Sequence, residues 1–351
     1  MEAKVFANQL IKWYHFHKRD LPWRGIKDPY KIWLSEIILQ QTRVVQGLPY
    51  YEKFVTRFPT VFELAAATEQ EVLRLWQGLG YYSRARNLHA CAKMVVEDYE
   101  GQFPGTDVEL LKLKGVGRYT AAAIASFAFD QPAAVVDGNV YRVLSRVFGI
   151  DDDIASTKGA KVFEKRANEL ISKEEPADYN QGIMEFGAIQ CTPVNPSCGT
   201  CPVSEYCYAY NHNAQGRLPV KTKKVKVKTR HFAYLVFTDG ERYFMKERGP
   251  KDVWQGLYDF HLVESKSAPD AEQIMAELAK KSTNPVLLAD ESAEYKHILT
   301  HQRIFAKFYQ VKVQDLSWLE AADELKAYSL EEMVELPKPK LIQNYLEDAI
   351  F

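Results

Sequence analysis

Four of the five cysteines fall within 17 residues, and their spacing is the strongest chemical signal in the chain. The run Cys191-x6-Cys198-x2-Cys201-x5-Cys207 is the wrong distribution for a disulfide framework. A tetrahedral zinc site usually carries two Cys-x2-Cys pairs or histidine partners. This run has one such pair with longer arms, which suits the corners of an iron–sulfur cubane. We therefore predict a [4Fe-4S] cluster, with zinc or a disulfide as alternatives, and expect Cys91 in the core.

Glu36 is a candidate general acid because it projects from an apolar face of a predicted helix. Three of its four neighbours at helical distances of three and four residues are large and apolar. Burial on such a face raises the pKa of a carboxyl group and keeps its proton near neutrality, as general acid catalysis requires. The alternative is a structural ion pair with Arg24 or Arg43.

The stretch Leu113-Lys114-Gly115-Val116-Gly117-Arg118-Tyr119-Thr120 predicts a turn between a short helix at 108–114 and a new helix from Arg118. Gly115 and Gly117 permit positive φ and close approach by another chain. The unpaired N–H groups that begin the second helix can bind a phosphate. Because short glycine motifs are weak evidence, an ordinary helix end remains the alternative.

Asp137 is a second candidate carboxylate. It follows an apolar run at 133–136 and precedes a predicted helix from Gly138 to Phe148, so it is a natural N-cap. That structural role does not exclude chemistry. A carboxylate at a helix start, 20 residues after the glycine-rich turn, would lie near a phosphate-bound substrate. There it could stabilise a cationic sugar, as paired carboxylates do in glycoside cleavage.

Length and charge bound the classes of protein. The chain has 351 residues, enough for two domains. Its net charge of −1 means that any basic, DNA-facing surface must be local. No apolar run is long enough to span a membrane, and the N-terminus lacks the apolar core of a signal peptide. We expect a cytoplasmic protein, associated with the nucleoid if the source is a bacterium.

The elements that must position these residues change character near residue 212. We predict that residues 1–211 are all-helical, with helices at 4–17, 30–45, 47–57, 61–66, 69–78 and 83–98. Residues 212–230 read as a basic linker, since Lys221 to Arg230 carries six positive charges and no negative one. It is either a solvated tether or a strap along a phosphate backbone. Residues 231–351 read as an α+β domain with a hairpin at 231–246, a helix at 271–281, one or two strands at 297–313, and helices at 329–335 and 338–349.

Together these motifs resemble the helix-hairpin-helix DNA glycosylase superfamily with a [4Fe-4S] cluster. Three further stretches resemble its adenine DNA glycosylases of the MutY type: Leu21-Pro22-Trp23-Arg24, Ser35-Glu36-Ile37-Ile38-Leu39-Gln40-Gln41-Thr42 and Gly78-Leu79-Gly80-Tyr81-Tyr82-Ser83-Arg84. The resemblance covers residues 1–210 closely and the remainder more loosely. It implies base excision repair at adenine mispaired with 8-oxoguanine or guanine, on duplex DNA and by a monomer.

The resemblance also implies roles by position. Glu36 would protonate adenine at N7, and Asp137 would stabilise the oxocarbenium ion or its covalent equivalent. Asn139 and Tyr119 would support that centre. The remaining implied residues contact DNA or the base: Gly115, Val116 and Gly117 in the hairpin, Gln41 and Tyr81 as wedges beside the lesion pair, and Trp23, Arg24 and Gln181 around the flipped adenine. Flipping costs least at a mispair, which helps selection.

Tyr119 separates this chain from a sister family similar to endonuclease III. That family carries at this position a nucleophilic lysine, which cuts the strand through a Schiff base. The tyrosine here predicts a monofunctional glycosylase. One competing hypothesis is a pyrimidine-lesion glycosylase with lyase activity, against which Tyr119 and the second domain argue. The other is a non-catalytic DNA-binding iron–sulfur protein, against which Glu36 and Asp137 together argue.

The second domain resembles a Nudix fold, which Trp254-Gln255-Gly256-Leu257-Tyr258-Asp259-Phe260 would enter. The acidic metal-binding box of Nudix hydrolases does not follow, so we expect this domain to recognise a lesion rather than hydrolyse a nucleotide. Leu299-Thr300-His301 matches in position the family's Phe-Ser-His sensor of 8-oxoguanine. Leu replaces Phe, and Thr replaces Ser while keeping the hydroxyl.

Overall fold

The chain forms two compact units. The structure, a computed structural model, describes residues 2–222, 226–250, 252–265, 267, 270–281, 286–313 and 325–351. One unit comprises residues 1–66 and 87–223, and the other comprises residues 67–86 and 224–351. Part of the predicted basic linker, residues 223–225, lies outside the described residues. Within the described ranges no helix has the length and apolar character needed to cross a membrane.

Helices build the described chain up to residue 211, as predicted. They are α1 (Ala3–His17), α2 (Pro29–Leu39), α3 (Val44–Arg57), α4 (Val61–Ala66), α5 (Glu69–Leu75), α6 (Ser83–Tyr99), α7 (Asp107–Leu110), α8 (Arg118–Phe129), α9 (Gly138–Phe148), α10 (Thr157–Leu170), α11 (Pro176–Ile189) and α12 (Tyr208–Asn211), with 3-10 turns at Cys198–Thr200 and Ser204–Tyr206.

Helix α11 is central to the packing of the first unit, because α1, α8 and α9 all contact it. Two of its glycines make the approach close. A Cβ on Gly182 would lie 3.2 Å from the Cβ of Tyr14 in α1. One on Gly187 would lie 2.6 Å from the Cβ of Asn139 in α9, a distance that side chains do not tolerate. Helix α11 therefore lies directly against the residues expected to do chemistry.

The helix predicted over residues 30–45 is present but ends at Leu39, because the chain leaves helical geometry between α2 and α3. Gln41 adopts a φ of 56°, a left-handed conformation that a right-handed helix cannot contain. Two other predicted helices are shorter than expected. The helix before the glycine turn ends at Leu110, and α5 ends at Leu75, shortly before Gly78 with its φ of 95°.

The second unit is built on one eight-stranded mixed sheet. Its strands are β1 (Lys228–Thr238), β2 (Tyr243–Glu247), β3 (Tyr258–Asp259), β4 (His261–Ser265), β5 (Val286–Glu291), β6 (Tyr295–Ile298), β7 (Gln302–Val313) and β8 (Lys326–Tyr328), and its helices are α13 (Ala271–Lys281), α14 (Leu330–Glu335) and α15 (Lys340–Ala349). The longest pairing joins β1 and β7 in parallel, from Lys228 opposite Gln302 to Thr238 opposite Lys312. Phe237, Phe244, Leu278 and Val311 belong to its core.

The predicted hairpin at 231–246 is confirmed as β1 and β2, which pair antiparallel across the turn. The sequence predicts one or two strands at 297–313, and the structure has two, β6 and β7, of which β6 begins two residues earlier. Strands β3, β4, β5 and β8 were not predicted. Strand β3 has only two residues, and most side chains of β5 are exposed, so neither shows the alternating apolar pattern by which a strand is recognised.

Residues 67–86 fold with the second unit although they lie within the helical half of the chain. The side chain of Gln70 donates to the Tyr258 hydroxyl over 2.6 Å. The guanidinium of Arg86 donates to the Gln255 carbonyl over 2.7 Å. The backbone N–H of Lys338 donates to the Gln77 side chain over 2.9 Å. These bonds hold α5 and the loop after it against the start of β3 and the end of the chain.

Candidate functional site

Glu36 and Tyr119 meet at the centre of the first unit. Glu36 lies on α2 and is 8% exposed, and Tyr119 lies in the first turn of α8. The Tyr119 hydroxyl donates to the Glu36 Oε2 over 2.7 Å. Within the described residues Glu36 has no ion-pair partner, so the alternative of a structural pair with Arg24 or Arg43 is wrong.

Burial raises the pKa of Glu36 to about 7. The hydrogen bond from Tyr119 lowers this pKa in part, the nearby Asp137 carboxylate raises it, and the charge of Arg24 lowers it. The predicted rise is therefore confirmed. A carboxyl group with this pKa holds its proton for much of the time at neutral pH and can give it to a substrate.

Asp137 occupies the N-cap of α9, as predicted. One carboxylate oxygen accepts from the Val140 backbone N–H over 2.7 Å, and the other accepts from the Asn139 side chain over 2.9 Å. Burial is the largest influence and leaves the pKa of Asp137 raised, although these two hydrogen bonds and the charge of Arg142 lower it in part. Asp137 is half-buried, whereas Glu36 is buried, and Asp137 carries more hydrogen bonds that favour the ionised form.

Arg142 ties this loop to the cysteine run. Its guanidinium donates to the Asn139 side-chain oxygen over 2.7 Å, to the Gly187 carbonyl over 2.6 Å and to the Cys191 carbonyl over 2.8 Å. The bond to Asn139 fixes that amide so that its nitrogen faces Asp137. One arginine therefore connects the Asp137 carboxylate, helix α11 and the first cysteine.

The predicted base-contacting residues line one cavity of about 620 Å³ that also includes Glu36, Tyr119 and Asp137. Trp23 packs edge-on against Tyr51 at 5.0 Å. Arg24 donates to the Glu185 carboxylate at 2.6 and 3.1 Å, and Arg19 binds the same carboxylate at 2.7 Å. Although burial alone would raise it, these hydrogen bonds lower the pKa of Glu185 to about 2.

At the glycine turn, the backbone N–H of Val116 donates to the Leu113 carbonyl over 3.2 Å. Gly115 has a φ of 76°, and an added Cβ would lie 2.6 Å from the Cβ of Asn87. Gly117 does not need positive φ, because it has a φ of −91° as the N-cap of α8. No side chain caps this helix. Val116 between them is 7% exposed and anchors the turn in the core.

The two predicted wedge residues share an unusual backbone. Gln41 has a φ of 56° and Tyr81 a φ of 50°, and such angles in residues other than glycine cluster at functional sites. Tyr81 is 43% exposed, whereas its neighbour Tyr82 is buried and belongs to the core. The Tyr81 hydroxyl forms a hydrogen bond with the Thr300 hydroxyl.

Within the second unit, the predicted sensor loop faces a cavity of about 410 Å³ that Tyr81 also lines. Leu299, Thr300 and His301 form the tight turn between β6 and β7, closed by the Leu299 N–H to the Gln302 carbonyl at 2.8 Å. The backbone carbonyl of His301 accepts from the N–H of Lys228 over 2.8 Å. The loop is thereby held at both ends while its tip remains exposed.

The four clustered cysteines form no disulfide and line one further cavity. Across the described residues, His15, Glu175 and Asp178 are the only group in which three ligand atoms of histidine, cysteine, aspartate or glutamate lie within 4.8 Å of one another. Arg146 donates to the Cys191 sulfur over 3.5 Å, a contact that favours thiolate. Cys91 is fully buried, as expected.

Three side chains of the site were missed by sequence reasoning: Arg19, Arg142 and Glu185. Glu185 lies four residues after Gln181 on the same helix face, and Arg142 lies three residues after Asn139. That helical spacing was the available signal. It could not be read as a site, because Glu185 binds Arg19 across 166 residues, and Arg142 also binds carbonyls 45 and 49 residues away.

Comparisons with known proteins define the class first. The family described as "HhH-GPD superfamily base excision DNA repair protein" matches residues 34–173. The "Iron-sulfur binding domain of endonuclease III" matches residues 191–207, and the "NUDIX domain" matches residues 232–348. These matches confirm the predicted fold class and the predicted [4Fe-4S] cofactor. Among solved structures, a thermostable thymine-DNA glycosylase aligns with a TM-score of 0.55 and 32% identity over 60% of this chain and 97% of its own.

Whole-chain relatives then define the family. The adenine DNA glycosylase of Buchnera aphidicola subsp. Baizongia pistaciae is 32% identical over 97% of this chain and 95% of its own length. That of Arabidopsis thaliana is 36% identical over 86% of this chain, which spans 56% of the plant protein. The chain belongs to the adenine DNA glycosylase family.

Proposed function

We propose that this protein is a monofunctional DNA glycosylase that hydrolyses the N-glycosidic bond of adenine mispaired with 8-oxoguanine or guanine. The observation that carries the proposal is the pair of carboxyl groups in one cavity, each in its own environment. Glu36 has a pKa raised to about 7, and Asp137 is held by two hydrogen bonds that favour its ionised form. Such pairs divide acid and charge-stabilising roles in glycoside cleavage.

In the proposed reaction Glu36 gives its proton to N7 of a flipped adenine. The bond between N9 and C1′ breaks, and its electron pair leaves with the base. The Asp137 carboxylate stabilises the positive charge that develops on the sugar, or bonds to C1′ transiently. A water molecule then adds to C1′, gives its proton to the Glu36 carboxylate and displaces Asp137 if that bond has formed, which leaves an abasic site. Tyr119 orients the Glu36 carboxyl group through the bond that it donates.

The absence of a nucleophilic amine supports the monofunctional assignment. Tyr119 occupies the position where a lysine would attack, and within the described residues no lysine lines the cavity around Glu36 and Asp137. Without an amine no Schiff base forms, so the strand stays intact until the abasic site is cleaved by other means.

We assign the [4Fe-4S] cluster to Cys191, Cys198, Cys201 and Cys207. When bound, it would cross-link the loop at 191–207. The residues around it then position the site: Arg142 joins the Cys191 carbonyl to Asn139. We assign the Gly115–Gly117 turn to a DNA phosphate, Gln41 and Tyr81 to the duplex, and Leu299, Thr300 and His301 to the base opposite adenine.

The test is single-turnover release of adenine from duplexes that place A opposite 8-oxoguanine, G or T. Wild type should act on the first two, and Glu36→Gln and Asp137→Asn should lose at least roughly a hundredfold in rate. Glu169→Gln, an exposed glutamate paired with Arg166, is the matched control and should keep full activity. Borohydride should trap no covalent complex. An inactive wild type with full iron content would contradict the proposal.

A further inference from the structure

One buried tyrosine supports two residues of the base cavity. Tyr14 lies on α1 and is 1% exposed. Its hydroxyl oxygen is 2.5 Å from the side-chain oxygen of Gln181. The guanidinium carbon of Arg24 lies 5.6 Å from the centre of its ring. Tyr14 falls within the helix that the sequence predicts at 4–17.

The close packing of α1 and α11 makes this contact possible. Gly182 follows Gln181, and a Cβ there would come within 3.2 Å of the Tyr14 Cβ and 3.5 Å of the Leu10 carbonyl. A larger residue would push the helices apart and carry the hydroxyl away from Gln181.

The hydrogen bond has one direction. The side-chain oxygen of glutamine accepts only, so the phenol must donate to it. Burial raises the pKa of Tyr14 to about 12, with smaller effects from nearby charges. The Tyr14 phenol therefore keeps its proton at neutral pH. If the amide were reversed, the phenol hydrogen would lack an acceptor.

This bond decides what Gln181 shows to the cavity. Its oxygen is directed at Tyr14, so its NH2 group is the end left for a ligand. Within the described part of the chain that nitrogen has no hydrogen-bond partner, and Gln181 lines the same cavity as Glu36. An amide fixed in this way is a hydrogen-bond donor.

We propose that Tyr14 is a specificity-determining positioning residue that holds Gln181 as a donor toward an unprotonated ring nitrogen of the flipped base. The inference rests on the proposed function. If Glu36 acts at N7, the acceptors left on adenine are N1 and N3. A base with N–H at the position facing Gln181, such as hypoxanthine at N1, would be opposed by the amide hydrogens.

The test compares Tyr14→Phe with Tyr30→Phe. The second is a matched control, because Tyr30 is also buried in the first unit and its hydroxyl donates over 2.7 Å to the Phe58 carbonyl, outside the cavity. Single-turnover rates are measured with adenine, 1-deazaadenine and 3-deazaadenine opposite 8-oxoguanine, together with the thermal midpoint of each variant.

We expect Tyr14→Phe to slow release of adenine by roughly tenfold, the worth of one oriented hydrogen bond. The same variant should match wild type on the one deaza analogue that lacks the nitrogen read by Gln181, because the two changes remove one interaction. Tyr30→Phe should change none of the rate ratios between bases, even if it lowers the thermal midpoint as much as Tyr14→Phe does.

Two results would overturn the inference while the proposed function stands: Tyr14→Phe behaving like Tyr30→Phe, or Tyr14→Phe slowing all three bases by the same factor. The latter would make Tyr14 a purely structural residue. A wild type that releases no base would instead overturn the proposed function, and this inference with it.

Discussion

At the scale of single residues, Glu36 and Asp137 carry the same functional group in different environments. Glu36 is buried and accepts a hydrogen bond from Tyr119, whereas Asp137 is half-buried, caps a helix and also binds Asn139. Burial favours the protonated form and hydrogen bonds to a carboxylate favour the ionised form. The proposed roles follow from the balance of these two effects: Glu36 donates a proton, and Asp137 stabilises positive charge.

The pKa of Glu36 predicts how the rate depends on pH. The proposed reaction needs protonated Glu36, whose pKa is about 7, and ionised Asp137, whose pKa burial raises. The single-turnover rate should therefore fall tenfold per unit above about pH 7, and it should also fall at acidic pH, where Asp137 becomes protonated. Measuring adenine release across the range, at saturating enzyme, checks this. A rate that stays flat to about pH 9 would mean that Glu36 is not the acid.

The same pKa predicts a cost in stability. The folded state raises the pKa of Glu36 from 4.5 to about 7, so it binds the proton more tightly than the unfolded chain. The associated stability is fully present below about pH 4.5 and is lost as pH rises through about 7. Near pH 8 Glu36→Gln should therefore exceed wild type by about 3 kcal/mol in free energy of unfolding.

Urea denaturation of both proteins at about pH 4.5 and about pH 8 measures this difference. The gap should vanish at the lower pH. Glu169→Gln, at an exposed position, should show no such dependence. Equal stabilities of Glu36→Gln and wild type at the higher pH would contradict a buried, perturbed carboxyl group.

At the scale of elements, α11 positions the segment that leads into Asp137 through Asn180. This fully buried side chain donates to the Ala133 carbonyl and the Ser126 hydroxyl, both over 2.8 Å, and accepts from the Val135 N–H over 3.1 Å. It thereby pins the extended segment that enters Asp137. A loop held only by its ends would leave the carboxylate free to move.

Asn180→Ala should therefore lower both stability and rate. Losing the buried bonds should cost about 2–4 kcal/mol in free energy of unfolding, because the Val135 N–H and Ala133 carbonyl are left unpaired. Adenine release should slow at temperatures where the variant is fully folded, with DNA affinity unchanged. Asn168→Ala, whose side chain donates to the Glu164 carbonyl on an exposed face, is the control. If Asn180→Ala lost stability but kept the wild-type rate, its role would be structural only.

At the scale of the whole molecule, the second unit includes residues 67–86. Gln70, Gln77 and Arg86 bond to residues after 250, so removing the second half of the chain strips this segment of its partners. Tyr81, whose hydroxyl bonds Thr300, belongs to the same segment. Tyr81, one of the two proposed wedge residues, thus shares one structural unit with the proposed sensor loop.

A chain shortened to residues 1–223 should expose 67–86. In hydrogen exchange this segment should lose protection in the short chain, while α11 should keep its protection. The full chain measured under identical conditions is the reference. Equal protection of residues 67–86 in both chains would show that the second unit does not stabilise them.

The sequence by itself determined what can be recognised within a few turns of chain: the spacing of four cysteines, the glycine turn, the N-cap at Asp137 and the apolar face around Glu36. Each depends on local geometry that the backbone sets wherever the segment lies. The boundaries of α1, α9 and α13 followed from the same periodicity. The break after Leu39 did not, because nothing local requires Gln41 to adopt positive φ.

Only the tertiary structure decided which distant groups become partners. Tyr119 meets Glu36 across 83 residues, Arg24 meets Glu185 across 161, and Tyr14 meets Gln181 across 167. These choices, and the membership of residues 67–86 in the second unit, depend on how helices and sheet pack. Packing is set by the fit of many side chains at once, and no short stretch of sequence encodes it.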